Sequence, residues 1–250
     1  MRFLHTSDWH LGHTIRTFAR DREHDAFLDW LLGTLDREQV DALLITGDIF
    51  DTANPSGAAQ RMWYRFLERA HRQNPALVIV VIGGNHDAAS RLDAPEPLLR
   101  THNVHVVGGL PLLENGDVNV DRLVVELKDR SGAVRALCAA VPFLRPCDLP
   151  VLPDAADPLR AGVEAIYRQV LEGLKARRKE GQAMIVTGHL YLTGTRLSDM
   201  SERKILGGNL HALESSLFPD ELAYVALGHL HFAQIVGNRV PVHKVGETAA

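Results

Sequence analysis

Short apolar runs that stop at Gly, Asn or Asp alternate along this chain with longer stretches in which apolar residues recur every three or four positions. Phe3-Leu4 opens a first strand that ends in a loop at Asp8-Trp9-His10. From Asp21 to Leu35, the residues Phe27, Leu28, Leu31, Leu32 and Leu35 form a helical stripe. Ala42 to Ile45 is an unbroken apolar run closed by Thr46-Gly47-Asp48, the pattern of a strand buried on both faces. Ser56 suits a helix N-cap, with Met62, Phe66 and Ala70 on the inner face behind it. A β-branched run, Leu77 to Ile82, then stops at Gly83-Gly84-Asn85-His86-Asp87.

From Val104 to Val141 the helical period fades. Leu123 to Leu127 and Ala133 to Val141 read as strands between turn residues. Pro142 to Pro158 carries five prolines and reads as a loop over the surface. Leu159, Val163, Ile166, Val170 and Leu174 restore a helical stripe. It ends in Lys175, Arg177, Arg178 and Lys179, a basic run that suits a helix C-terminus facing solvent. Two more strands, Ala183 to Thr187 and Tyr224 to Leu227, are each followed closely by Gly-His. The alternation predicts one α/β layered domain over residues 1–250.

Composition narrows the class. With 250 residues, 46% hydrophobic and 23% charged, the chain is neither disordered, collagenous nor a coiled coil. No stretch reaches the roughly 18 consecutive apolar residues of a membrane span. The start Met1-Arg2-Phe3-Leu4-His5 lacks a signal peptide's apolar core, so a cytoplasmic location is expected. Cys138 and Cys147 cannot make a disulfide framework, which fits a reducing compartment. A net charge of −4 argues against a small basic DNA-binding module, so any nucleic acid would need a local patch, bound metals or a partner. The outlier is histidine, of which there are 13.

Five places share one design, in which an apolar run ends and metal-binding side chains follow. They are Asp8-Trp9-His10, Gly47-Asp48, Gly84-Asn85-His86-Asp87, Gly188-His189 and Gly228-His229-Leu230-His231. Strand ends converge in α/β folds, so ligands scattered in sequence would meet in space. In the pairs Asp8/His10 and His229/His231, an extended backbone would aim both side chains the same way. Any one of these could be a polar turn; the whole set in this order is hard to read that way. Besides His86, the donors are two carboxylates, one amide oxygen and four imidazoles. That exceeds one tetrahedral zinc site and suits two divalent ions roughly 3.5–4 Å apart. Such a mixed O and N set favours Mn²⁺, Fe²⁺ or Zn²⁺ over Mg²⁺, and phosphoester hydrolysis is its natural use.

This order of motifs resembles the signature of the calcineurin-like metallophosphoesterase superfamily, whose fold is a two-sheet β-sandwich flanked by helices. More narrowly, the chain is similar to the SbcD family of bacterial nuclease subunits. The similarity runs through residues 2–12, Gly47-Asp48-Ile49-Phe50-Asp51, Ser198-Asp199, Glu202-Arg203, Gly207-Gly208 and Tyr224 to His231, and it covers roughly residues 1–240. Asp51, where archaeal and eukaryotic relatives carry His, favours the bacterial branch. The resemblance implies that Asp8, His10 and His231 hold one ion and that Asn85, His189 and His229 hold the other. Asp48 would bridge them. His86 would protonate the leaving oxygen, with Asp87 orienting it.

It further implies a Mn²⁺-preferring DNA nuclease acting 3′ to 5′ on duplex ends and endonucleolytically on hairpins or single strands, in DNA repair and recombination. The implied partners are DNA and an SbcC-like coiled-coil ATPase, a homodimer being allowed. Family members continue into a DNA-contacting cap domain and an ATPase-docking segment; these 250 residues read as the nuclease domain without them. Rival readings are a small-molecule phosphodiesterase or protein phosphatase on the same core, and a non-catalytic metal-binding scaffold.

Among the other histidines, His5 is expected in the core or behind the ligands, and His13 with Arg16 in a solvated loop or near a phosphate. His24, His71, His102 and His105 are expected at the surface or in turns. His211 is a weaker candidate for the site, and His243 is read as structural. Trp9 should pack beneath the site, and Trp30 and Trp63 should pack between helices.

Overall fold

A computed structural model describes residues 1–193, 195, 213–236 and 242–244. Its elements in order are β1 (Phe3–Thr6), a short hairpin of β2 (Thr14–Ile15) and β3 (Phe18–Ala19), α1 (Asp21–Arg37), β4 (Ala42–Thr46), α2 (Gly57–Gln73) and β5 (Val78–Ile82). Three short helices, α3 (Ala89–Asp93), α4 (Glu96–Leu99) and α5 (Val120–Leu123), flank β6 (Val104–Val107). There follow β7 (Val124–Lys128), β8 (Val134–Ala139), α6 (Pro158–Arg177), β9 (Ala183–His189), β10 (Tyr224–Gly228), β11 (Gln234–Val236) and β12 (Val242–Lys244).

Apart from the β2-β3 hairpin, the described strands form two sheets. The first has the order β1-β4-β5-β6 and is wholly parallel. The second has the order β11-β12-β10-β9-β8-β7, parallel in its centre and antiparallel at both edges. Side-chain alternation splits the first sheet between two cores. Ala42, Leu44, Val78, Val80 and Ile82 join Leu137, Val186 and Leu227 of the second sheet and Ile166, Val170 and Leu174 of α6. Leu43, Ile45, Ile79 and Val81, one residue out of phase, pack on Leu28, Leu31 and Leu35 of α1 and Trp63 and Phe66 of α2. The result is a two-sheet sandwich with helices outside it, as the resemblance implied. Both faces of β4 and β5 are covered, which is why their sequences are continuous apolar runs.

The helix ends carry their expected signals. Ser56 accepts the Ala59 N–H at 3.2 Å, and Asp157 caps α6 by accepting the Arg160 N–H, with Pro158 in the first turn. The basic run at the end of α6 is not simply solvated: Lys175 pairs with Glu221 at 2.7 Å, and Arg177 pairs with Asp121.

Several expectations need correction. His24 is buried on the inner face of α1, one turn before Leu28, and not at the surface. Trp30 stacks on Phe27 but is 57% exposed, while Trp63 is buried. His105 lies within β6, a strand that the fading helical period did not single out. The proline-rich segment does not run only over the surface. Its first part turns inward, where the Phe143 N–H donates to the Gly83 carbonyl at 2.8 Å.

Candidate metal centre

The parallel strands of both sheets end at one edge of the sandwich, and the candidate residues lie there. Behind β1 and β4 the loops zip together: Asp8 N–H donates to the Gly47 carbonyl, His10 N–H to that of Asp48, and Leu11 N–H to that of Ile49, at 2.9–3.0 Å. Trp9 points away beneath them into Phe27, Trp63 and Phe66, its indole N–H on Thr6 Oγ1 at 2.9 Å. Asp8 and His10 face the site by a different route from the extended geometry expected of them. Asp8, His10, Asp48 and His229 have φ of +56°, +47°, +51° and +91°, in or near the left-handed region that non-glycine residues rarely occupy. Such backbone persists only where the surroundings over-determine it, and it clusters at functional sites.

Glycines permit the close approaches. A Cβ on Gly47, itself at φ +96°, would overlap the His189 ring, and one on Gly84 would overlap Asp48. A Cβ on Gly228 would strike Ser7 Oγ and the Thr46 carbonyl, where the two sheets meet.

The seven candidate ligands converge. His10 Nε2 is 3.3 Å from His231 Nε2 and 3.8 Å from Asp48 Oδ2. His231 Nε2 is 3.8 Å from Asp8 Oδ1. Asn85 Oδ1 lies 3.0 Å from both His189 Nε2 and His229 Nδ1, and His189 Nε2 is 3.3 Å from Asp48 Oδ2. The donor groups Asp8/His10/His231 and Asp8/Asp48/His189 thus overlap, and His86 with His10 and Asp48 makes a third.

The donor chemistry fits cations. His189 Nδ1–H donates to the Thr46 carbonyl at 2.8 Å, so the neutral ring aims its Nε2 lone pair at two oxygen acceptors. Only a positive charge between them makes that arrangement favourable. In the bare protein a proton can supply it. Burial alone would depress the His189 imidazolium, but Asp48, Asp8 and the Thr46 carbonyl raise it to about 9. Burial would raise Asp48, yet His189, His10 and His86 hold it well below the usual carboxylate range. Burial raises the Asp8 carboxyl. Burial also holds His10 down at about 3; Asp48 opposes that shift, and His231 and His86 reinforce it.

The expected role of Asp87 needs correction. Its carboxylate accepts the backbone N–H groups of Ile49, Phe50 and Gly84 at 2.9–3.2 Å and does not orient His86. The tight turn points those three donors at one buried carboxyl, which burial and then Asp48 push up to about 6. His86 is held otherwise: its N–H donates to Asp48 Oδ1 at 2.9 Å and its Nδ1–H to the Asp51 carbonyl at 2.8 Å. Asp51, which the motif reading used only to favour one branch, is a hub of the site, its Oδ1 lying 3.0 Å from His13 Nδ1 and 3.6 Å from His10 Nδ1. His5 sits behind the ligands, its Nε2 2.9 Å from Thr46 Oγ1. Ser198 to Gly208 and His211 lie outside the described residues, as does the side chain of His243.

Residues 1–233 match the family model for calcineurin-like phosphoesterases. The chain belongs to that family. The family is named for phosphoester hydrolysis, and the overlapping donor groups described above are of a kind that could hold divalent metal ions. It is 46% identical over 245 residues to the D subunit of nuclease SbcCD from Rhodobacter capsulatus, covering 96% of this chain and 60% of that protein. The Escherichia coli K12 and Bacillus subtilis proteins of the same name are 36% and 35% identical, covering 98% and 94% of this chain. The chain spans about 60% of the length of these relatives. Among solved structures, a dimetal phosphatase from Danio rerio superposes with a TM-score of 0.51 over 98% of this chain and 86% of its own, at 11% identity, a likeness of fold alone. No helix among the described residues is long and apolar enough to cross a membrane.

Proposed function

We propose that this domain is the nuclease domain of an SbcD-type protein. It is a metal-dependent phosphodiesterase that cuts DNA from 3′ ends of duplexes and endonucleolytically in hairpins or single strands, in repair and recombination. The observation that carries this reading is the pair of overlapping donor groups between the sheets, with the His189 lone pair aimed at two oxygens. Asp8, His10 and His231 would hold one divalent ion, Asn85, His189 and His229 the other, and Asp48 would reach both. Mn²⁺ suits this mixed carboxylate and imidazole set. When bound, two such ions supply a hydroxide nucleophile near neutral pH and neutralise charge on the phosphoryl group.

The protein's own part is positioning and proton transfer. His86 faces the site with its Nδ1–H committed to the Asp51 carbonyl, so its Nε2 gives a proton to the leaving 3′ or 5′ oxygen only from the doubly protonated imidazolium and is left as a lone pair afterwards. Asp87 fixes the loop that carries His86 by binding three backbone N–H groups. The relatives named as part of the SbcCD nuclease support a coiled-coil ATPase of the SbcC type as partner, and a cytoplasmic setting suits that assembly.

The test is cleavage of end-labelled linear duplex and single-stranded DNA with Mn²⁺ and with chelator. Cutting that needs Mn²⁺ is expected. Hydrolysis of a small phosphodiester with DNA left intact would overturn the nuclease reading and favour a small-molecule phosphodiesterase.

A further inference from the structure

A cleft of about 710 Å³ opens directly beside the metal centre, with Asn85 and Asp87 on its near wall. Small residues, among them Ala53, Ala89 and Gly109, leave its floor open, and two guanidinium groups, Arg122 and Arg145, stand at its sides. Several other surface arginines are tied to carboxylates, as Arg65 is to Asp25 and Arg160 to Glu164, while Arg91 and Arg178 bond to neutral groups. Arg122 and Arg145 make no such pair among the described residues. The cleft's three acids are hydrogen-bonded to backbone: Asp87 accepts three N–H groups, Asp93, which also feels the Arg122 charge, accepts the Gly108 N–H at 2.7 Å, and Asp148 accepts the Arg145 backbone N–H at 2.8 Å.

Arg145 is also held in place. Its Nη2 donates to the Asp87 carbonyl at 2.9 Å, and its guanidinium lies 5.8 Å from the centre of the Phe143 ring. Phe143 in turn packs against His189 and His229. The charge is therefore fixed relative to the ligands, half-buried, with donors left for an anion.

We propose that this cleft is a second phosphate subsite. It takes the nucleotide adjoining the phosphodiester at the metal centre, and Arg145 and Arg122 bind that nucleotide's own phosphate. The inference rests on the phosphodiesterase reading above and specifies its substrate as a chain of at least two phosphates. The cleft is larger than a lone phosphate needs, and Val106, Leu110 and Pro111 give a sugar and base an apolar wall.

The experiment measures inhibition of bis(p-nitrophenyl) phosphate hydrolysis by two thymidine dinucleotides in Mn²⁺, one with a terminal phosphate at the 5′ or 3′ end and one without. The extra phosphate should tighten inhibition about tenfold in the wild type, the size of a charge-assisted contact. Arg145→Ala and Arg122→Ala should each remove most of that ratio, and Arg145→Lys should restore part of it. The ratio is internal to each protein, so a general loss of activity does not mimic the result. An unchanged ratio in both alanine variants, or no ratio in the wild type, overturns the proposal. DNA cutting is scored separately: a phosphate gain without DNA cutting keeps the cleft and removes the nuclease reading, and the converse keeps the nuclease and removes the cleft.

Discussion

The two sheets contribute unlike chemistry to the centre they share. Loops after β1, β4 and β5 supply both carboxylates, the amide oxygen, His10 and His86, whereas β9 and the turn after β10 supply imidazoles alone. The acidic half is braced by backbone: the loops hydrogen-bond to each other, Asp87 gathers three N–H groups, and Asp8, His10 and Asp48 sit at positive φ. The imidazole half is registered on it by cross-sheet contacts, His189 to the Thr46 carbonyl and the His229 N–H to Asp8. Neither half is a complete site. The carboxylates are concentrated on one sheet and the other brings imidazoles alone, so docking the sheets is what creates the metal centre.

Removing the carboxylate that both halves face should have the largest effect. Asp48→Ala is expected to lose bound metal and reduce hydrolysis to background, read by elemental analysis and phosphodiester turnover. Next, His86→Ala should keep its metal while activity falls roughly 10²–10⁴-fold; loss of metal would instead make His86 a ligand, as its place beside His10 and Asp48 permits. Gly228→Ala pushes the sheets apart where Ser7 and Thr46 approach. It should cost about 1–3 kcal/mol of stability in a denaturant titration and weaken metal binding about tenfold or more. Asp87→Ala should strand three N–H groups at a cost of about 1–3 kcal/mol for each one left unsatisfied. A variant with unchanged stability and reduced turnover would restore the orienting role that the geometry denies it. The smallest effect lies away from the site. Burial pushes the Cys138 thiol up to about 12 while Cys147 is exposed, so a thiol reagent should label one cysteine in the native protein and two after unfolding.

The strands and the ligand positions were legible because a buried parallel strand is written as an apolar run and its stop as Gly, Asn or Asp. The local route of the backbone was not. Strict alternation suggested an extended Asp8-Trp9-His10, whereas left-handed residues there turn Trp9 into the core and both ligands into the site. The partner of Asp87 could not be read from its neighbour His86, since three converging N–H groups are a tertiary feature. Phe143 and Arg145 were hidden in a proline-rich segment that composition assigns to the surface, and the tertiary bonds from Phe143 to Gly83 and from Arg145 to the Asp87 carbonyl bring them back. His24 likewise reads as an isolated polar residue until the face of α1 is known.

The most direct test of a centre built between the sheets is electron paramagnetic resonance of the Mn²⁺-loaded protein, with the bound metal counted. Two ions per chain with the signal of an exchange-coupled pair are predicted. One ion per chain, or two that are magnetically independent, would contradict it.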